Sequence, residues 1–359
     1  MDAKRVTPDQ FKKETLKPGT KGRYLVTVGE LSTGTEIAIP VVVVRGSKDG
    51  PNVFVGGGVH GEEAGSIEAV KRFAAQLDPK DVSGTVSLVP LQNAPAWAFR
   101  SRLYPLDAPT VANMGNGGLA KGDPDGIMTS RALYALADCV AKDAQFALDV
   151  HATHLDSMNY PFTFVFTAGD EPADVQKKRL DLARKVGNEI IWVSTSVSNR
   201  GGLPWILNHR GCPSVSFEAG EGWRALEPFP SILIRGIRNF LKAAGSLKGD
   251  PEMPSVQIEV AKRHEATCSR GGMSHLYVRP GEFVHAGQKL AEVRDMFDDV
   301  IEELKAPANG IIQRCSLLPT VATGARLCNI AITDRDKDWE NRTIPKLERQ
   351  IILPGKSRP

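Results

Sequence analysis

In the string Val59-His60-Gly61-Glu62-Glu63 an imidazole and a carboxylate stand three residues apart, after an apolar stretch and before a helical one. On a turn that enters a helix, positions three apart face one way, so His60 and Glu63 can converge while Glu62 points elsewhere. Imidazole nitrogen and carboxylate oxygen both satisfy zinc, and a catalytic zinc keeps three protein ligands and one open position. The third ligand must come from another element, and Asp149-Val150-His151 offers one at the end of an apolar run. Strand period two places Asp149 on the same side as His151, where a carboxylate orients a metal-bound imidazole through its second nitrogen. His154 is a competing ligand; it sits past the strand end and reads as pocket lining or plain surface. HxxE and DxH each arise by chance, and their joint occurrence at two predicted strand ends is what points to a metal. Zinc over manganese or cobalt is inferred from ligand type, because His/Glu sites accept several such ions.

Zinc-assisted hydrolysis also needs a carboxylate near the open position, to take a proton from water and return it to the leaving amine. The apolar segment Ser214-Val215-Ser216-Phe217 ends in Glu218 on the glycine-rich turn Ala219-Gly220-Glu221-Gly222, which makes Glu218 the candidate base and Glu221 the fallback. An ordinary loop acid or helix cap is the plain alternative. The scissile carbonyl gains negative charge and needs a fixed donor. Arg100 and Arg102, after the turn-like Asn93-Ala94-Pro95, are available, although most arginines are solvated surface charges.

Gly56-Gly57-Gly58-Val59-His60-Gly61 also fits the GxGxxG spacing of a dinucleotide site, with Asp81 about twenty residues on. Glu62 and Glu63 would then stand at the helix N-terminus, where a pyrophosphate needs bare N–H groups. They would repel that ligand, whereas a metal cation wants one of them, and the glycines are better read as a tight turn into the site.

The elements that must position these groups alternate. Val53–Gly57, Thr85–Val89, Phe146–Val150 and Ser214–Phe217 read as strands, with helices predicted over Glu62–Gln76, Met128–Val140, Ala173–Val186 and Ile232–Ala244. The last is punctuated by Ser231 as N-cap and Gly245 as a left-handed stop. Strands alternating with helices imply an α/β domain with helices on both faces of a sheet. Gly245 to Pro254 is a polar linker. Beyond it Val284-x-x-Gly287-x-x-Leu290-x-x-Val293 recurs as Val321-x-x-Gly324-x-x-Leu327-x-x-Ile330, which predicts a small β-domain of two similar halves. The expected division is a catalytic domain over 1–250, a β-domain over 255–335 and a tail over 336–359, with no structure assigned after Thr333.

Composition narrows the class. The 359 residues carry 45 basic and 42 acidic side chains for a net +3, with no basic stripe, so nucleic acid is not an expected partner. The charged N-terminus has no apolar h-region, and the run Ile37–Val44 is broken by Pro40 and too short to span a bilayer. Five scattered cysteines without a CxxC pair read as reduced thiols of a cytoplasmic protein. Nothing in the sequence decides against a homo-oligomer.

Taken together, HGEE after an apolar strand, NAPAWAFRSRLYPLD, GDPDG, the DVH strand end and VSFEAGEG resemble the succinylglutamate desuccinylase/aspartoacylase family of the zinc-carboxypeptidase-like clan, over most of residues 25–335. The resemblance implies a three-layer α/β/α zinc amidohydrolase, with one ion per chain, that removes acyl groups from N-acyl amino acids or related small amides. By the same resemblance His60, Glu63 and His151 match the ligands, Glu218 the base, and Arg102 the arginine that steadies the carbonyl oxygen ahead of Asp107. Asn113 matches a substrate-binding asparagine, with Arg100 a further substrate-binding candidate. Where the family carries an arginine after that asparagine this chain has Met114, which cannot clamp a carboxylate. Either Arg100, Arg200 or Arg224 replaces it, or the substrate lacks a carboxylate there, and the expectation is the second: a less acidic N-acyl or amide substrate. The alternatives to a deacylase are a zinc carboxypeptidase acting on small peptides and a non-catalytic metal-containing binding protein. The C-terminal repeat resembles the barrel-sandwich fold of biotinyl and lipoyl domains, but Asp295-Met296-Phe297-Asp298-Asp299 stands where their carrier lysine would be. Neither biotin nor lipoate is expected, and a structural or assembly role, such as shielding the active-site mouth, is.

Overall fold

A computed structural model describes residues 2–105, 107, 113–114, 121–167, 171–194 and 201–340. Among these residues fourteen strands form one sheet and four more form a second, smaller sheet. The long path of the large sheet runs Lys4–Val6, Thr20–Glu30, Glu36–Arg45, Ser83–Val89, Lys48–Gly57, Phe146–His151, Ser214–Glu221, Ser157–Phe166, Gly310–Ser316, Arg326–Ile332, Arg263–Thr267. Lys48–Gly57, Phe146–His151 and Ser214–Glu221 lie parallel at its centre. Both of their faces are covered, so they read as continuous apolar runs rather than alternating ones.

Helices Ala64–Gln76, Ala173–Lys185 and Phe229–Ala243 cover one face, where Phe73, Leu233 and Phe240 pack on Val55, Leu148, Val215 and Phe217. Met128–Tyr134, continuing into a π-helical turn over Ala135–Val140, covers the other together with Gly202–His209. Leu133, Leu136 and Leu203 anchor them there. This is the expected α/β/α layering. The helix predicted at Ile232 starts earlier, with Pro228 as N-cap and Ser231 inside the first turn. Pro230 fits because the first helical N–H groups lack partners in any case. The stop at Gly245 is as expected, with φ 84°.

The C-terminal repeat is a pair of crossings between sheets. Val284 lies in the large sheet, with Leu290 and Val293 in the small one; Val321 lies in the small sheet, with Leu327 and Ile330 in the large one. All six side chains share one core. Gly287 and Gly324, at φ 83° and 85°, make the two turns, a backbone that any residue with a β-carbon resists. The two sheets sandwich this core without closing into a barrel. The strands expected to stand apart instead extend the catalytic sheet: Gly310–Ser316 pairs antiparallel with Ser157–Phe166, setting Arg314 opposite Asn159 and Ser316 opposite Ser157. Farther along, Phe162 to Phe166 pair with Ile190–Ser194 instead. The strand therefore forks, one end serving each arm.

The segment after Thr333 is not featureless. Asp336–Glu340 is a short helix whose Trp339 is buried against Tyr160 and donates its indole N–H to Gly281 O at 2.8 Å. A single apolar side chain in a charged stretch leaves no periodic signal to find. Residues 341–359 lie outside the described residues. The five cysteines are free thiols, four of them buried. Among the described residues no helix is long and apolar enough to cross a membrane.

Candidate active site

The three parallel strands end along one edge of the sheet, the edge at which open α/β sheets collect ligands. His60 follows Lys48–Gly57 in a turn, and Glu63 stands at the N-cap of helix Ala64–Gln76. His151 closes its strand, and Glu218 is its register partner on the next. Gly61 makes the turn possible: a β-carbon there would lie 2.3 Å from Ala96 C and Ser101 O. That close approach brings in the loop carrying Arg102, whose carbonyl accepts from Gly61 N at 3.2 Å.

His60, Glu63 and His151 are all buried, and one ligand atom from each lies within 4.8 Å of the others. His151 gives its Nε2 to Asp149 Oδ2 at 2.7 Å, while Asp149 Oδ1 accepts from Gln92 at 2.8 Å. His60 gives its Nε2 to Asn113 Oδ1 at 3.0 Å. Both rings therefore turn Nδ1 toward Glu63, at 2.7 and 3.1 Å. The second oxygen of Glu63 accepts from Ala152 N. Two imidazoles with Nδ1 presented and Nε2 fixed, plus a carboxylate between them, suit a divalent ion of the zinc type. Burial works against a charged His60 and keeps its pKa low, with Glu63 opposing. Burial likewise opposes a charged His151, but Asp149 and Glu63 outweigh it and hold its pKa well above the ordinary value. For Glu63 burial is overcome by the two histidines, which keep it ionised.

Glu218 faces the same space. Burial raises its pKa to about 7, with His151 pulling down and Glu63 pushing up. Asn159 Nδ2 donates to its Oε1. Arg102 is held by Glu62 at 2.6 Å and lies 3.6 Å from Glu63 Oε1. Glu62 thus lies outside the ligand cluster and anchors the arginine beside it. His154 lines the cavity with its Nδ1 3.6 Å from Glu62. The cavity measures about 560 Å³ and runs from this cluster past Phe162, Phe164, Phe166 and Trp192 to residues of the C-terminal strands.

Several predicted residues sit elsewhere. Arg100 is exposed, with φ 50°, and outside the cavity lining. Met114 is fully buried among Leu133 and Leu203, so its position faces the core, not substrate. Arg224 is bonded to Glu221, the fallback base, which is itself buried. Arg200 lies outside the described residues. Asp107 accepts from Met128 N and Thr129 N and so caps a helix from a distance. Gln92, Asn159 and the cavity-lining arginines of the C-terminal strands went unread, because only strand order brings them to the site.

A buried His/Glu/His cluster that could hold a metal ion stands at the strand ends of an α/β/α fold, with the half-buried carboxylate of Glu218 opposite, an arrangement suited to hydrolysis. Residues 49–244 match the model of the succinylglutamate desuccinylase/aspartoacylase catalytic domain, and the chain belongs to that family. It is accordingly a hydrolase acting on the amide bonds of N-acyl compounds. The chain is similar to the N-alpha-acetyl-L-2,4-diaminobutyric acid deacetylase of Halomonas elongata, at 27% identity over 82% of this chain and 86% of the other. In fold it matches the product-bound ectoine utilization protein EutE (DoeB) of Ruegeria pomeroyi, with a TM-score of 0.77 at 21% identity, over 89% of this chain and 97% of that one. The succinylglutamate desuccinylase/aspartoacylase of Rhodobacter sphaeroides gives 0.76 at 23%, over 88% and 95%.

Proposed function

We propose that the chain deacylates a small N-acyl amino acid, or a closely related N-acyl compound, at a zinc-type ion held by His60, Glu63 and His151. The observation that carries this is the convergence of three oriented ligand atoms and Glu218 on one buried space. When bound, such an ion supplies Lewis-acid polarisation of the amide carbonyl and lowers the pKa of water. Asp149 keeps the His151 tautomer and ring angle fixed throughout. Glu218 takes a proton from the attacking water and passes it to the amide nitrogen as the C–N bond breaks, leaving a carboxylate and an amine. Arg102, held by Glu62, donates to the carbonyl oxygen as negative charge develops there. Asn113 steadies His60 and borders the substrate.

The test is metal analysis of the purified protein together with a turnover screen of N-acyl amino acids, N-acyl diamines and small peptides. The compound named for the Halomonas relative makes N-acetyl diamino acids the first arm. Glu218→Gln should keep the metal and lose about 10²–10⁴-fold in kcat, the range for a general base. Full activity in that variant, or no turnover by the metal-loaded parent, would overturn the proposal. Faster peptide than N-acyl turnover would point to a carboxypeptidase.

A further inference from the structure

The cavity has a second polar region, built by the C-terminal strands, that the hydrolytic residues do not use. Strand register lays it out as a row: Asn159, which bonds Glu218, stands opposite Arg314; Arg314 stands opposite Asn329; and Asn329 stands opposite Glu265. Arg314 is 8% exposed, with Nη2 on Asp156 at 2.9 Å and Nε buried without a partner among the described residues. Beside it Gln313 Nε2 and Asn329 Oδ1 are also buried and, among the described residues, unpartnered, each on a residue only 2% exposed. Arg263 and Arg326 share Glu265, at 3.0 and 3.1 Å, and the Arg263 guanidinium lies 4.0 Å from the centre of the Trp192 ring. All of these except Asp156 line the cavity. Three guanidinium groups thus meet the carboxylates of Asp156 and Glu265, with Glu218 a third close enough to act on both Arg263 and Arg314. A buried guanidinium with an unused N–H favours an anionic oxygen more than any neutral partner.

We propose that Arg314, with Arg263 and Arg326, forms an anion subsite that holds a carboxylate of the substrate while its amide lies over His60, Glu63 and His151. The inference rests on the deacylase reading and deepens it: the substrate's carboxylate is recognised from the C-terminal strands, not from the position of Met114. No arginine is needed at Met114, which packs in the core. Phe164 and Trp192 form an apolar wall that suits the carbon stem between the two ends of such a molecule.

The test uses metal-loaded Glu218→Gln protein, in which ligands persist, and calorimetric titration with N-acetyl amino acids and their matched carboxamides. The acids should bind on the order of tenfold to a hundredfold more tightly than the amides. Adding Arg314→Lys or Arg326→Gln should shrink that ratio by about tenfold. Arg326 is the more exposed of the two, so its variant keeps the experiment decisive if the buried position disturbs folding. Acid and amide binding alike, no acid binding at all, or variants that weaken both ligands equally would each overturn the subsite. Turnover without an acid-over-amide preference removes the subsite and leaves the deacylase. Arginine-dependent acid binding without turnover by the parent enzyme removes the deacylase and leaves the subsite.

Discussion

The floor and the far wall of the cavity are both polar, yet they are built on opposite terms. On the floor the groups that would do the chemistry are committed, Asp149 to His151 and Gln92, Glu62 to Arg102 and Asn113 to His60, while the supporting Gln92 keeps a buried Oε1 that is unpartnered among the described residues. On the wall Arg314 Nε, Gln313 Nε2 and Asn329 Oδ1 are buried with hydrogen-bonding capacity unused. Chemistry needs groups held in one geometry before the substrate arrives, whereas recognition needs groups whose bonding is completed by it. Floor residues should therefore govern turnover, and wall residues affinity and choice of substrate.

The largest effect that could break this contrast is at Glu218, whose conversion to Gln should cost turnover by orders of magnitude with metal content intact. Arg102→Met comes next. Loss of one donor to a developing oxyanion costs about 10²–10³ in kcat, so steady-state kinetics should show a fall in kcat with a smaller change in KM. A change confined to KM would move Arg102 from the floor to the wall. Asp149→Asn should lower metal affinity or activity by about 10- to 100-fold, measured by competition with a chromogenic chelator. Unaltered affinity there would mean that His151 does not depend on its buried partner. Trp339→Ala touches neither surface. It should cost about 3–5 kcal/mol of stability, read as a lower thermal midpoint, with the least effect of the series on activity per folded molecule.

The ligand cluster and Glu218 were legible in the sequence because each part is local, whereas Gln92 was not and Asn113 came only with the resemblance. His60 and Glu63 share a turn, Asp149 and His151 share a strand face, and Glu218 ends an apolar strand, so spacing alone carried them. The three central parallel strands and four of the five flanking helices were equally plain; Gly202–His209 was not read. What escaped reading depends on which strands become neighbours. Ser157–Phe166 is buried along most of its length and shows no alternation, so neither the strand nor Asn159 stood out. Arg314 meets that strand only through a pairing across 155 residues of chain. Thr20–Glu30 and Glu36–Arg45 form a hairpin whose second strand contains Pro40, set opposite Leu25, a residue that argues against a strand on composition alone. Met114 was aligned with a substrate-facing arginine, and only packing reveals that its side chain turns inward.

The seam between Ser157–Phe166 and Gly310–Ser316 also sets an order of events during synthesis. The ribosome delivers the first strand long before the second, so half of its backbone donors and acceptors at the Ser157 end await a partner that emerges only after some 150 further residues. Pairings of such long sequence separation form late, and an unpaired edge is the place where chains stick to one another. A nascent or truncated chain lacking residues beyond 310 would thus expose a raw sheet edge beside a half-built pocket. Completion of the pocket wall and protection of that edge are one and the same step.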